Sequence, residues 1–366
     1  MHGTGAPDAG PAPVYSAVEF TGRWKEFLPI ALTNLLLMVV TLGVYRFWAT
    51  ARERQYLWSR TRFVDDRLEW SGTGKEMFLG FLIVLLFLLP MAMLLIFATG
   101  LTARGGDSSV IGGLLIFLVY GSFFYLAGVG GFRALRYRLS RTYWHGIRGG
   151  SDCAGWGYGW QFVWKTAAGY SLFGLLVPWA KTSLWNDRWN GMSFGRHRFE
   201  AAADAQGLMG RWLATYFVPI AGMILFFSIA DDLLPYGGDP PPDVAQDVMI
   251  KIGLLVVGGY LAYSLASLVF YSAYYRRVAD TTSIGGVELE FTARTMDWVK
   301  LILGHIGLVI VTLGVGLMFI RYRNWAFTMR HLEASGIVDL DSLLQSLTAA
   351  PGEAEGLADA FDIGAI

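Results

Sequence analysis

Three polar side chains lie inside apolar segments of the chain: Asn34, Lys165 and His305. Polar groups at membrane depth often mark ligand or ion pathways, so these side chains could line a cavity open to the cytoplasm. In a structural alternative, Lys165 extends its ammonium to the membrane interface, while Asn34 and His305 hydrogen-bond to neighbouring helices. We favour the structural alternative, because both kinds of interaction are common.

Four glutamates recur at the same place in a short sequence motif: Glu19, Glu69, Glu200 and Glu290. Carboxylates can act as general bases or as ligands. However, a residue that recurs with a structural repeat needs only packing to explain it. We therefore favour a structural place for the glutamates, such as cross-strand pairing with Arg67 or Arg198.

The sequence shows no arrangement typical of an enzyme, a cofactor site or a metal site. The segment 72–76 lacks features of a phosphate-binding loop, and the glycines of 155–159 lack dinucleotide-binding spacing. The five histidines contain no pair at metal-ligand spacing, and Cys153 is the only cysteine. We predict no catalytic residue, no cofactor and no metal, and therefore no enzyme.

Composition indicates that the elements carrying these residues are membrane helices. Hydrophobic residues make up 54% of the 366 residues, charged residues only 16%, and the mean hydropathy is +0.43. Four runs contain no Lys, Arg, Asp, Glu or His and are long enough to cross a bilayer: 77–101, 109–132, 212–230 and 252–275. We predict a polytopic membrane protein of the all-α class, built from helical hairpins.

The distribution of basic residues predicts which segments cross the membrane. Of the 29 Lys and Arg residues, 26 lie in six stretches next to the apolar segments: 23–25, 46–76, 133–148, 181–211, 276–300 and 321–330. The exceptions are Arg104, Lys165 and Lys251. Seven alternating spans would place several basic loops outside, whereas four spans leave every basic loop in the cytoplasm. We therefore predict two spanning hairpins and three glycine-broken or re-entrant segments, at 27–58, 160–190 and 298–332.

An internal repeat organises the chain. The three re-entrant segments align on a glycine that is followed five residues later by an aromatic residue: Gly43 and Trp48, Gly174 and Trp179, Gly314 and Phe319. A second repeat, at 63–70, 194–201 and 284–291, predicts small cytoplasmic β-hairpins. The stretch 142–155 matches this second repeat poorly. We predict disordered tails at 1–16 and 348–366, on either side of a repeated membrane domain at 17–347.

The residues of the first repeat carry a family resemblance. Phe20-Thr21-Gly22, Thr41-Leu42-Gly43 with Trp48-Ala49, and the stretch from Arg60 to Gly72 together resemble the YjgN family of bacterial inner-membrane proteins. The likeness extends from about Val18 to Asp341, although the third repeat has Phe319-Ile320 in place of Trp-Ala. The resemblance implies a multi-pass protein of the bacterial inner membrane. It implies no activity, since the family is uncharacterised.

Two functions fit these predictions. Broken helices in a duplicated framework favour a passive transporter, a channel or a lipid-handling protein. The alternative is a non-catalytic scaffold or assembly factor, because small residues in 252–275 would let another helix approach. The expected partners are the bilayer, including anionic headgroups at its cytoplasmic face, and either a second copy or another membrane protein. Nucleic acid is not expected, because the net charge is zero.

Overall fold

The computed structural model describes residues 18–231, 241–336 and 344–348. The predicted disordered tails, 1–16 and 348–366 apart from Thr348, lie outside these residues. In the described part, ten α-helices form five consecutive pairs: α1 (Trp24–Val40) and α2 (Arg46–Ser59), α3 (Gly74–Ala103) and α4 (Gly106–Arg141), α5 (Trp156–Gly174) and α6 (Val177–Trp189), α7 (Met209–Asp231) and α8 (Pro242–Asp280), α9 (Thr295–Val311) and α10 (Ile320–His331). A short 3₁₀ helix, Val315–Phe319, joins the last two.

Short β-strands separate the helix pairs. The described strands are β1 (Val18–Phe20), β2 (Thr61–Phe63), β3 (Asp66–Arg67), β4 (Glu69–Trp70), β5 (Thr142–Trp144), β6 (Ile147–Gly150), β7 (Ser193–Phe194), β8 (His197–Ala201), β9 (Thr282–Ile284), β10 (Val287–Phe291) and β11 (Leu332–Gly336). They pair antiparallel in chain order, β1 to β3 in one sheet and β4 to β11 in another. One extended segment, with Leu68 between β3 and β4, joins the two sheets along the chain.

The register of the strands fixes where each helix pair begins and ends. The two strands that flank a pair are hydrogen-bonded to each other, as in Val18 opposite Phe63 around α1–α2 and Gly149 opposite Phe194 around α5–α6. The same holds around α3–α4, α7–α8 and α9–α10. Every helix pair therefore leaves one side of the sheet assembly and returns to that same side.

The extent of this sheet corrects the predicted all-α class. The fold is mainly helical, but it contains an eight-stranded sheet. Each β-hairpin in this sheet pairs along both of its edges with a strand that lies on the far side of the adjacent helix pair in the sequence. An isolated two-stranded hairpin is only marginally stable, so edge-to-edge pairing stabilises all of the hairpins together. The stretch 142–155, which matched the repeat poorly, also forms a hairpin, β5–β6. Its turn is tight, with positive φ at His145 and Gly146.

The helix pairs follow one another around the assembly, and the last contacts the first. α10 packs against α2 and β1, and β11 lies beside β1. At three junctions an indole N–H donates to the threonine that begins a strand of the next pair, at 2.9 to 3.1 Å: Trp325 to Thr61, Trp58 to Thr142 and Trp185 to Thr282. These bonds recur because the junctions share one geometry.

Helix length divides the five pairs into two classes. Four of the described helices are long and apolar enough to cross a membrane: α3, α4, α7 and α8. They contain the four predicted spans 77–101, 109–132, 212–230 and 252–275. By contrast, α1 and α9 have 17 residues each, which is about 26 Å, less than the roughly 30 Å of a hydrocarbon core. The pairs α1–α2, α5–α6 and α9–α10 are called the half-length hairpins below.

Candidate functional site

The three polar residues of the apolar segments occupy equivalent positions in the half-length hairpins. Asn34, Lys165 and His305 each precede the glycine of their hairpin by nine residues. Each lies on the first helix of its hairpin, about two and a half turns before the chain reverses. This common spacing is visible in the sequence and was missed, because the three residues were considered separately from the glycine repeat.

In the first hairpin the polar group joins a network that reaches the third hairpin. The amide of Asn34, only 1% exposed, donates to Glu53 Oε1 at 3.3 Å and to the Ala49 carbonyl at 3.4 Å. The other carboxylate oxygen of Glu53 accepts from Arg321 Nη1 at 3.0 Å. Arg321 also donates to the Thr50 hydroxyl at 3.0 Å. The network therefore connects α1, α2 and α10.

In the second hairpin the polar group is paired within the hairpin itself. The ammonium of Lys165 donates to Ser183 Oγ at 2.6 Å and forms an ion pair with Asp187. The side chain of Lys165 is 9% exposed, compared with 32% for Asp187. Lys165 thus turns towards α6 and does not extend freely to the interface, unlike in the snorkelling alternative.

In the third hairpin a histidine occupies this position. His305 is partly buried, and its Nε2 is buried with no hydrogen-bond partner among the described residues. On the facing helix, Arg323 Nη1 donates to the Gly304 carbonyl at 3.0 Å. The interior of the third hairpin therefore combines an imidazole with a guanidinium, and no described carboxylate bonds to His305.

At the tips of the half-length hairpins the chain reverses through a left-handed backbone. The glycines have φ of +87°, +80° and +93°: Gly43, Gly174 and Gly314. The residue before each glycine also has positive φ and is apolar and more than 90% exposed: Leu42, Phe173 and Leu313. Glycine tolerates this conformation, whereas the preceding residue is strained by of order 1 kcal/mol. The exposed apolar tips suit a lipid environment and not water.

The aromatic residues of the repeat lie beside their tips. Trp48 stacks on Tyr45 with ring centroids 6.2 Å apart, and Trp179 packs against Trp164 at 5.8 Å. In the third hairpin, Phe319 packs against Phe27 of the first hairpin at 6.0 Å. The replacement of Trp by Phe therefore coincides with a contact between hairpins.

The recurrent glutamates lie on the exposed face of the strands. Their cross-strand neighbours differ: Glu19 is opposite Arg62, Glu69 opposite Tyr143, Glu200 opposite Ser283, and Glu290 opposite Glu333. Arg67 is opposite Arg62, and Arg198 is opposite Ser193, so the suggested pairing of the glutamates with Arg67 or Arg198 is wrong. Proximity in the sequence does not produce cross-strand pairing here: Arg198 lies on the same strand as Glu200, and Arg67 lies on β3 whereas Glu69 lies on β4 of the other sheet.

A groove that the sequence did not suggest runs between α8 and α9. Its cavity volume is about 650 Å³. One end of the groove is apolar, with Leu265 on α8 and Met296 and Val299 on α9. Leu265 and Met296 are both more than half exposed, so this end is open on the side of the apolar helix surfaces.

The other end of the groove carries charges of both signs. Arg276 and Asp280 lie one turn apart near the end of α8, Arg294 precedes α9, and Glu290 is on β10. Arg276 Nη1 donates to the Ala293 carbonyl at 2.7 Å, which fixes the guanidinium at the groove. Asp280 Oδ1 accepts from the Phe291 backbone N–H at 3.2 Å. This end therefore presents positive and negative side chains together.

Among the described residues no group of three or more His, Cys, Asp or Glu could hold a metal ion. Cys153 is exposed. The polar groups of the described residues therefore offer no assembled metal centre.

Comparison with known proteins connects this fold to a bacterial family. A family model described as "Bacterial protein of unknown function (DUF898)" matches residues 15–360. Inner membrane protein YjgN of Escherichia coli strain K12 is 22% identical over 298 residues, 67% of this chain and 72% of that protein, and YjgN of E. coli O157:H7 gives the same values. YjgN of Salmonella typhimurium is 27% identical over 135 residues, 37% of this chain and 31% of that protein. No solved structure matches the chain.

Proposed function

This chain belongs to the YjgN family (DUF898) of bacterial proteins of unknown function, and within it we propose a passive, non-catalytic lipid-handling role in the inner membrane. The observation that carries the proposal is the groove between α8 and α9. It combines an apolar end at the surface of a candidate span with a charged end beside the sheet. That combination matches an amphiphile with a polar head.

The proposed topology places the groove in the cytoplasmic leaflet. Each of the pairs α3–α4 and α7–α8 crosses the membrane twice, so that the chain has four spans. The half-length hairpins enter and leave the membrane from the cytoplasmic side. In support, each pair rejoins the sheet that it left, and the half-length helices are shorter than the hydrocarbon core. The basic residues near the sheet fit a cytoplasmic location.

Side-specific cysteine labelling tests this topology. In a Cys153→Ser background, we expect a periplasmic maleimide to label Asp107→Cys and Asp243→Cys in intact cells. It should label Glu69→Cys and Glu200→Cys only after permeabilisation, since both are exposed on the sheet. Labelling of Glu200→Cys in intact cells would contradict the proposed topology.

Reconstitution tests the lipid-handling role itself. Proteoliposomes with the purified chain should bind or redistribute fluorescent phospholipid analogues, and they should not accumulate solutes against a gradient. The spans 77–101, 109–132, 212–230 and 252–275 contain no Asp, Glu, His, Lys or Arg that could couple transport to an ion gradient. Ion-driven solute uptake in the absence of lipid binding would refute this role.

A scaffold remains the alternative, and one observation favours it. Gly253, Gly258 and Gly259 on α8 each have open space where a Cβ would lie, so another helix could approach α8 closely. Crosslinking at Gly258→Cys in native membranes tests it. Recovery of a defined partner, with no lipid retained by the purified chain, would favour the scaffold over the lipid-handling role.

A further inference from the structure

The groove between α8 and α9 has an equivalent at the junction of α4 and α5, displaced by 140 residues. At that junction Arg136 Nη1 donates to the Cys153 carbonyl at 3.1 Å, just as Arg276 donates to Ala293. In both cases the donor and the acceptor are separated by 17 residues. The two junctions are therefore built on the same backbone arrangement.

Large side chains pack together at the α4–α5 junction. The guanidinium of Arg133 lies 4.5 Å from the ring centroid of Trp156, and Tyr125 stacks on the same ring at 6.4 Å. The Tyr125 hydroxyl also donates to the Trp156 carbonyl at 3.1 Å. At the α8–α9 junction the corresponding residues are smaller or apolar: Ala273 for Arg133, Met296 for Trp156 and Leu265 for Tyr125. Leu265 and Met296 line the groove, and their smaller side chains leave space for a ligand.

The charges define which amphiphile fits. Two arginines at one end match a phosphate, which guanidinium groups bind through paired N–H donors. Asp280 and Glu290 would repel a headgroup that is only anionic, but they match a primary ammonium. Leu265 lies eleven residues before Arg276, about 16 Å along α8, which is far enough to accompany an acyl chain.

We infer that this groove binds a single aminophospholipid, with its phosphate at Arg276 and Arg294 and its ammonium at Asp280 and Glu290. The acyl chain lies along Leu265, Met296 and Val299. The inference rests on the proposed lipid-handling role and adds its substrate class. A phosphocholine head satisfies the arginines but cannot donate N–H bonds to the carboxylates. A phosphoglycerol head lacks the cation.

The test is lipid retention by the intact chain. The protein is purified from vesicles containing equal amounts of phosphatidylethanolamine, phosphatidylglycerol and phosphatidylcholine, and the retained lipid is quantified by mass spectrometry. We expect about tenfold enrichment of phosphatidylethanolamine over each of the others, a ratio equivalent to about 1.4 kcal/mol. Equal retention of the three lipids, or enrichment of phosphatidylglycerol, would overturn the inference.

Variants locate the site. Arg294→Gln should reduce the amount of retained phosphatidylethanolamine about tenfold, the size expected for a lost charged hydrogen bond of about 1.4 kcal/mol. Combined Leu265→Tyr and Met296→Trp, which copies the α4–α5 junction at two residues that line the groove, should abolish retention. The matched control is Lys300→Gln on the same helix, where the lysine is 72% exposed and outside the groove. Arg294→Gln alone keeps the test decisive if the double variant does not fold.

The outcomes separate this inference from the broader role. Undiminished retention of phosphatidylethanolamine by Arg294→Gln would refute the groove as the site and leave a lipid-handling role intact. Absence of any retained lipid in the unmodified chain, together with absence of lipid redistribution in proteoliposomes, would refute both.

Discussion

The first and second half-length hairpins share a backbone but differ in how they accommodate a polar residue. Both reverse through a left-handed glycine, and both carry the polar residue nine positions earlier. In the first hairpin, Asn34 uses Glu53 and through it Arg321 of the third hairpin. In the second, Lys165 is neutralised by Asp187 of the same hairpin.

This difference separates backbone requirements from side-chain requirements. The chain reversal depends on local conformation, so the same residue type recurs at every tip. The interior polar position depends on which helices lie nearby, so its residue type and partner can change together. The first and third hairpins are consequently linked by side chains, whereas the second is self-contained in its polar interior.

The largest effect is expected from removing the counter-charge in the second hairpin. Asp187→Asn leaves the buried ammonium of Lys165 with the Ser183 hydroxyl, and we expect a loss of about 3 kcal/mol in unfolding free energy. Replacing both residues, as Lys165→Met with Asp187→Asn, should recover more than half of this loss. Denaturant unfolding in detergent micelles measures both. A double variant as unstable as Asp187→Asn alone would show that the ion pair is not the cause.

The corresponding change in the first hairpin should have a smaller effect. Glu53→Gln keeps its size and can still accept from Asn34, and Arg321 is 32% exposed, so water can partly replace the lost charge. We expect a loss of about 1 to 2 kcal/mol, measured in the same way. A loss equal to that of Asp187→Asn would remove the proposed difference between the linked and the self-contained hairpin.

Alanine at the tip glycines should distinguish the hairpins by packing. Gly43→Ala meets no atom within 4 Å, so only its positive φ is unfavourable, which is worth about 1 kcal/mol. A Cβ on Gly174 would lie 2.7 Å from the Tyr216 hydroxyl, which donates to the Phe173 carbonyl at 2.6 Å. We expect about 2 kcal/mol there, because that hydrogen bond weakens as well. Thermal unfolding of the two variants should reveal the order.

Removing the indole hydrogen bond should lower the unfolding free energy equally at the two junctions. Trp58→Phe and Trp185→Phe each remove one N–H bond, to Thr142 and to Thr282, while an aromatic ring remains. We expect a loss of about 1 kcal/mol from each. Unequal losses would mean that the junctions are not equivalent, and Trp164→Phe, whose indole bonds only to Gln161 on its own helix, is the control.

The smallest effect is expected at the exposed tips. Leu42→Gln and Phe173→Gln change side chains that are more than 90% exposed, so in micelles each should alter the unfolding free energy by less than about 0.5 kcal/mol. The elution volume of each variant in size-exclusion chromatography, with native lipids present, provides a second measurement. A large loss of stability at either tip would show that the tip contacts another part of the protein.

Much of the helical framework was predictable from local pattern, whereas the groove between α8 and α9 was not. Apolar runs gave the four candidate spans, and the glycine repeat gave the three reversals, because hydrophobicity and positive φ are properties of short segments. The nine-residue spacing of Asn34, Lys165 and His305 was also readable. The pairing of Lys165 with Asp187 was not, since the α5–α6 reversal decides which residue of α6 faces the lysine.

The sheet shows the opposite case. The sequence repeat predicts hairpins at 63–70, 194–201 and 284–291, whereas the stretch 142–155 that forms β5–β6 matches the repeat poorly. Its strand residues differ from the repeat while its turn residues still permit positive φ. The joining of the hairpins into one eight-stranded sheet depends on pairings such as Glu69 with Tyr143, across a helix pair of about 70 residues. No local pattern specifies such a register.

By itself the sequence determined the helices, their apolar surfaces and the glycine reversals, because each depends on residues a few positions apart. Only the tertiary structure decided that each helix pair returns to the sheet that it left, that Lys165 meets Asp187, and that a groove opens at α8–α9 while its equivalent is filled. Those features depend on contacts between residues distant along the chain. Their energies arise only when the packed helices and strands bring the groups together.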